Sequence, residues 1–202
     1  MASVFEAQFG NDARAQGGLY RIDRNASRLT VRAFAGGLLS AFGHSPNLDA
    51  GKFNGEVELY DLSRPEAASV RLVVKADSLT VADHLSEPDR REIEQETRAQ
   101  VLEAARYPEI VYQSSAIAAD RIYEGFYRLR IDGTLSLHGV TRRHHVDVQA
   151  KVGEATIRAE GESRLKQSEY KIRTVASVGG ALKVRDEVKL SFLLVADKVL
   201  MV

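Results

Sequence analysis

No cysteine occurs among the 202 residues. That excludes disulfide staples and thiol catalysis, and it removes one of the usual zinc ligands. An excess of charge of one sign is also missing: 28 Lys plus Arg balance 28 Asp plus Glu, for a pI of about 7.0. Binding nucleic acid needs a basic face that displaces counterions from phosphate, so no nucleic-acid partner is expected. Attachment to an anionic lipid surface would need a polybasic cluster, and the charge balance argues against one. The same neutrality weakens colloidal repulsion and leaves a homodimer open. No apolar run reaches the roughly 18 residues of a spanning helix, so no transmembrane segment is expected. The first 20 residues lack a basic stretch followed by an apolar one, and no secretory leader is read there. A cytoplasmic location is the expectation, or a periplasmic one if a leader has been removed. Neither low-complexity tracts nor repeats with a period of about 20 to 50 residues are found.

What the chain has is alternation. Tyr127, Leu129, Ile131, Gly133, Leu135 and Leu137 fall on one face, and Arg128, Arg130, Asp132, Thr134 and Ser136 on the other. Such a pattern marks a long strand with one dry and one wet side. After a turn at 138–141 it resumes with Val146, Val148, Ala150 and Val152, which reads as a hairpin. The same period appears at 28–33, 53–59, 70–76, 157–164 and 188–194, the last placing Val188, Leu190, Phe192 and Leu194 together. A bent strand is expected within 36–51 and a hairpin turn at 177–180. About eight half-polar strands exceed what a flat sheet manages comfortably, and closure removes the edges. The fold class expected is all-β: a closed antiparallel barrel of about eight strands.

One segment breaks the period. Ser86 followed by Pro88 and Asp89 is a helix start, and the stretch to Ala105 is rich in Glu, Arg, Gln and Ala without glycine. Ile93, Thr97, Val101 and Leu102 form a narrow apolar stripe, so one long surface helix is expected at about 87–105. Tyr107-Pro108 ends it. It could cap an end of the barrel or lie along its wall.

Candidates for chemistry are sparse. The five histidines are His44, His84, His138, His144 and His145, and no pair has the spacing of a helical zinc motif. Turn or surface roles are expected for the last four. His44, bracketed by Gly43 and Pro46 in an apolar stretch, reads either as a turn residue or as a polar anchor at a cavity. Nucleophile elbows, phosphate loops and dinucleotide fingerprints are missing. An eight-stranded barrel is either filled by side chains or holds one small ligand. Small inward residues (Ala33, Ala76, Gly133, Ala150, Ala159, Gly161) favour unfilled space.

The string from Ile131 to Arg142, with Gly133, Leu135, His138, Gly139 and Thr141 at its fixed points, closely resembles the G-x-L-t-i-H-G-v-T-r hairpin of YceI-like proteins. Further segments match in the same order: Tyr20 to Asp23, Gly43-His44-Ser45, Gly51 to Gly55, Ala76 to Leu79, Tyr107 to Ser114, and Val184 to Leu190. The resemblance spans about 20–198. It implies a lipocalin-like barrel domain at 20–199 behind an N-terminal extension, 1–19. Its elongated apolar cavity would take a polyisoprenoid or similar chain lipid, without enzymatic activity, cofactor or metal. Phe42, His44, Phe53, Tyr112, Leu135 and Leu137 lie in or beside the matched segments. Alternation assigns them, with Leu129, Ile131, Val146, Val148 and Phe192, to the cavity lining. Two departures stand out. Lys171 occupies a position where relatives usually carry glycine, and Arg142-Arg143-His144-His145 replaces their Arg-Pro turn.

The function expected is therefore carriage or storage of an apolar chain lipid. The alternatives are a histidine-dependent enzyme or metal site joining His44 to His138 or His144, and an interaction scaffold whose barrel is filled.

Overall fold

The computed structural model describes residues 16–36, 45–173 and 183–200. Eleven strands form one sheet: β1 (Gln16–Ile22), β2 (Arg28–Gly36), β3 (Asn47–Ala50), β4 (Phe53–Asp61), β5 (Ser69–Lys75), β6 (Leu79–Val81), β7 (Glu109–Tyr123), β8 (Phe126–Leu137), β9 (Val140–Val152), β10 (Thr156–Lys166) and β11 (Lys183–Lys198). All pairings are antiparallel.

The eleven segments make eight staves. β1 and β2 both run against β11, with Tyr20 opposite Lys198 and Leu29 opposite Phe192, so they are halves of one stave bent at residues 23–27. β3 and β4 continue each other in the same way, and β5 continues into β6 through a 3-10 turn at Ala76–Ser78. These bent staves and β7 to β11 follow in chain order, and β1–β11 pairing closes an eight-stranded antiparallel barrel. Closure leaves few unpaired backbone groups for intermolecular pairing. Ser78 fastens two bends together. Its buried hydroxyl accepts from Lys52 N–H (3.0 Å) and donates to the Lys75 carbonyl (2.7 Å).

The period-2 reading of 127–137 agrees with the structure, since its odd-numbered residues are buried. The end of the barrel where β7 meets β8 is packed by Tyr20 and Tyr127. Their hydroxyls donate to the carbonyls of Glu154 (3.0 Å) and Leu62 (3.3 Å), satisfying the phenols where chain loops cross.

The helix α1 (Glu87–Glu96) joins β6 to β7, at the opposite end. Ser86 caps it by accepting from Asp89 N–H at 3.3 Å. A π-helical turn, Thr97–Val101, follows, so the helical backbone stops at Val101 rather than near 105. Past it Leu102 and Ala104 are buried in the barrel end while Glu103 sits at φ 44, a geometry a regular helix cannot hold. The choice left open by the sequence, end or wall, resolves as the end. α1 stands at one barrel end, and Glu94 accepts a hydrogen bond from Val81 N–H (2.9 Å) on the exposed edge of β6.

The β8–β9 turn locks this end. His138 lies at φ 51 with its ring enclosed; Nδ1 meets the Tyr170 carbonyl at 3.1 Å and Nε2 meets Glu103 Oε1 at 3.2 Å. The Tyr107 ring packs on it, 4.6 Å between centroids. A Cβ on Gly139 would come within 2.5 Å of that tyrosine ring. The His-Gly pair is thus a structural clamp between the segment after the helix and the hairpin.

Candidate functional site

The barrel encloses a cavity of about 810 Å³, within the roughly 300–1,000 Å³ of small-molecule sites. It runs from Pro65 and Ala68 to the inward side of α1 and the π-helical turn, where Ile93, Thr97 and Val101 border it. Most of its wall is apolar because each inward-facing strand position repeats every second residue.

Of the residues expected to line a cavity, Tyr112, Leu129, Ile131, Leu135, Leu137, Val146, Val148 and Phe192 border this one. Phe53 does not. It is buried beside the bend at residues 23–27 and borders a separate cleft of about 250 Å³ with Leu29 and Ala50. Phe53 opens β4 where β3 gives way to it, and packs in the core cluster that includes Ile22, Leu59 and Ile131. Phe42 and His44 lie outside the described residues, as does the turn expected at 177–180.

The two inward glycines have a more specific role than leaving space. A Cβ on Gly133 would stand 2.8 Å from the Tyr112 ring, and one on Gly161 would stand 2.7 Å from the Phe192 ring. Each glycine seats an aromatic ring from a neighbouring strand. Gly133 thereby lets Tyr112 lie across β8 and donate to the Ile131 carbonyl at 3.0 Å. Burial, with a smaller contribution from Asp132, pushes the Tyr112 phenol up to about 12, so it remains a neutral donor.

His144 was expected at the surface, and the structure corrects this. It borders the cavity, and its Nε2 shares a 2.8 Å hydrogen bond with Ser163 Oγ. Burial lowers its pKa, neighbouring His145 lowers it further, and Glu169 partly opposes them, so the imidazole is neutral near pH 7. The signal was present in the sequence, because His144 shares strand parity with Val146 and Val148. Its Nδ1 has no hydrogen-bond partner among the described residues. Gln167, also bordering the cavity, donates to the Arg185 carbonyl at 3.0 Å.

Of the histidine centre considered above, His44 lies outside the described residues, and His138 and His144 are engaged with other partners. His138 is committed to Glu103 and Tyr170, and it does not border the cavity. His84 and His145 are exposed. Among the described residues no group of three or more His, Cys, Asp or Glu could hold a metal ion. The arrangement is suited to enclosing an apolar chain, with a small polar patch near the helix end.

The matches to known proteins agree with this architecture. The family model for the YceI-like domain matches residues 20–196. Burkholderia cenocepacia BcnA superposes with a TM-score of 0.67 at 20% identity, covering 86% of this chain and 98% of that one. A polyisoprenoid binding domain from Saccharophagus degradans, implicated in plant cell wall breakdown, gives a TM-score of 0.67 at 14% identity over 89% and 98%. The Campylobacter jejuni YceI protein gives 0.55 at 14% identity over 74% and 83%. A search of curated proteins found no match. With the family model spanning nearly the whole barrel, the chain belongs to the YceI-like domain family.

Proposed function

We propose that this protein binds one apolar chain lipid, a polyisoprenoid or a chain of similar shape, inside the barrel as carrier or store and performs no chemistry on it. The observation that carries the proposal is the continuous apolar cavity of about 810 Å³ between Pro65 and α1. Affinity comes from burying the chain, roughly 25 cal/mol per Å² of apolar surface removed from water, with few polar contacts to orient it. The polyisoprenoid-binding domain from S. degradans shares the fold and supports the choice of ligand class. A filled scaffold is disfavoured because the side chains leave this volume open. Native mass spectrometry of protein purified without detergent tests the proposal. The expected result is a co-purified chain lipid, or stoichiometric uptake of a long isoprenoid after organic extraction. Protein that carries none and takes up none would overturn it.

A further inference from the structure

We propose that the enclosed lipid carries an uncharged oxygen function, an alcohol or a carbonyl, held by His144, whose ring Ser163 fixes through its other nitrogen, with its chain running towards Pro65. This rests on the lipid-binding reading above. Uncharged polar side chains on the helix side of the cavity wall are Tyr112, His144, Ser163 and Gln167, with Thr97 on the helical segment; Thr30, its hydroxyl held by Asp49, and Ser191 also border the cavity. The Tyr112 hydroxyl and the Gln167 amide nitrogen are already engaged by backbone carbonyls. His144 Nδ1 is an unengaged ring nitrogen, and Ser163, on Nε2, can donate or accept and so sets whether Nδ1 accepts from an alcohol or donates to a carbonyl. Towards Pro65 the wall is made mostly of side chains such as Leu129, Val148, Ala159, Leu194 and Ala196, which offer an oxygen nothing.

Charge narrows the head group further. Among the described residues no lysine or arginine borders the cavity, whereas Asp83, Asp89, Glu92 and Glu96 border its helix end. The connections 37–44 and 174–182 contain no lysine or arginine in sequence. A carboxylate or phosphate at His144 would be buried without a counter-ion, and at the mouth it would face like charges. A cationic head is also poorly served. Asp83 is held by Asn47, and Asp89, Glu92 and Glu169 are exposed to water, which screens their pull on a charge placed at His144, leaving half-buried Glu96 at the helix end.

The test is competition, read by native mass spectrometry, among isoprenoids of one chain length ending in hydrogen, alcohol, aldehyde, amine or monophosphate, offered to the delipidated full chain. The alcohol and aldehyde should bind about three- to tenfold more tightly than the hydrocarbon, the range of one net hydrogen bond. The monophosphate and amine should bind at least about tenfold more weakly than the alcohol. His144→Leu should bring the ratio of alcohol to hydrocarbon affinity to about one. Ser163→Ala should reduce that ratio in the same direction, and it serves should H144L not fold. Phosphate or amine binding as tightly as alcohol would overturn the proposal. So would equal loss of alcohol and hydrocarbon in both variants. Failure of every chain, the hydrocarbon included, would instead overturn the lipid-binding reading.

Discussion

Lys171 sits at φ 58 and ψ 17, closing the 3-10 turn Gln167–Tyr170. An L side chain there crowds its own carbonyl, at a cost of about 1–2 kcal/mol, which glycine avoids while losing more backbone entropy on folding. Lys171→Gly should therefore stabilise the protein by about 0.5–1 kcal/mol in urea denaturation, and unchanged stability would show that the turn relaxes around the lysine. Gly133 is the opposite case. A Cβ there would lie 2.4 Å from the Gln113 carbonyl oxygen, which is backbone and has little room to move. Gly133→Ala should cost about 1–3 kcal/mol and displace the Tyr112 ring, visible as a shifted aromatic resonance. His144 supplies a pH dependence. Its folded pKa lies below the unfolded value of about 6.5, so the unfolded chain takes up the proton first. Its contribution to stability is complete above about pH 6.5 and is lost as pH falls through the folded value. Denaturation of the wild type at pH 7.5 and 5.5 should show a decrease that is smaller in His144→Leu. Equal decreases would mean that other groups carry it.

At the scale of elements, alternation exposed some strands and hid others. β8 has no register shift and reads cleanly along its length. β7 does not, because a shift between Ser114 and Ala116 changes its parity: Tyr112 and Ile117 both turn inward although one is even and the other odd. A strict period-2 pattern cannot survive such a bulge, and only the matched segment 107–114 hinted at this strand. The helix was legible from its cap and stripe. Its end was not, because the π-helical turn and the positive φ at Glu103 answer to burial of Leu102 and Ala104, which is a tertiary demand. The contact from Glu94 to Val81 ties helix to edge strand. Glu94→Ala should raise amide exchange at 79–81 and in α1 while leaving β8 to β10 unchanged. Uniform acceleration would instead indicate global destabilisation.

For the whole molecule, closure and capacity are separate properties. The barrel was legible because enough strands kept their alternation and the matched segments came in order. The cavity was less so, since the volume depends on how Tyr112 and Phe192 lie over Gly133 and Gly161, which no local pattern encodes. If the volume serves a ligand, filling it should separate binding from stability. Ala159 borders the cavity on β10, across from the Ala150 of β9. Ala159→Phe directs a ring into open space, so the cavity should lose chain binding while the fold holds. In the wild type, a chain lipid at about one hundred times its Kd should stabilise the native state by about 2.7 kcal/mol. At about 2–4 °C per kcal/mol for a chain of this size, the melting temperature should rise by about 5–11 °C. In the variant the apoprotein should melt within a few degrees of the wild type, and the lipid should shift it little. A variant that still shows the full ligand shift would mean that the lipid lies elsewhere than along β9 and β10.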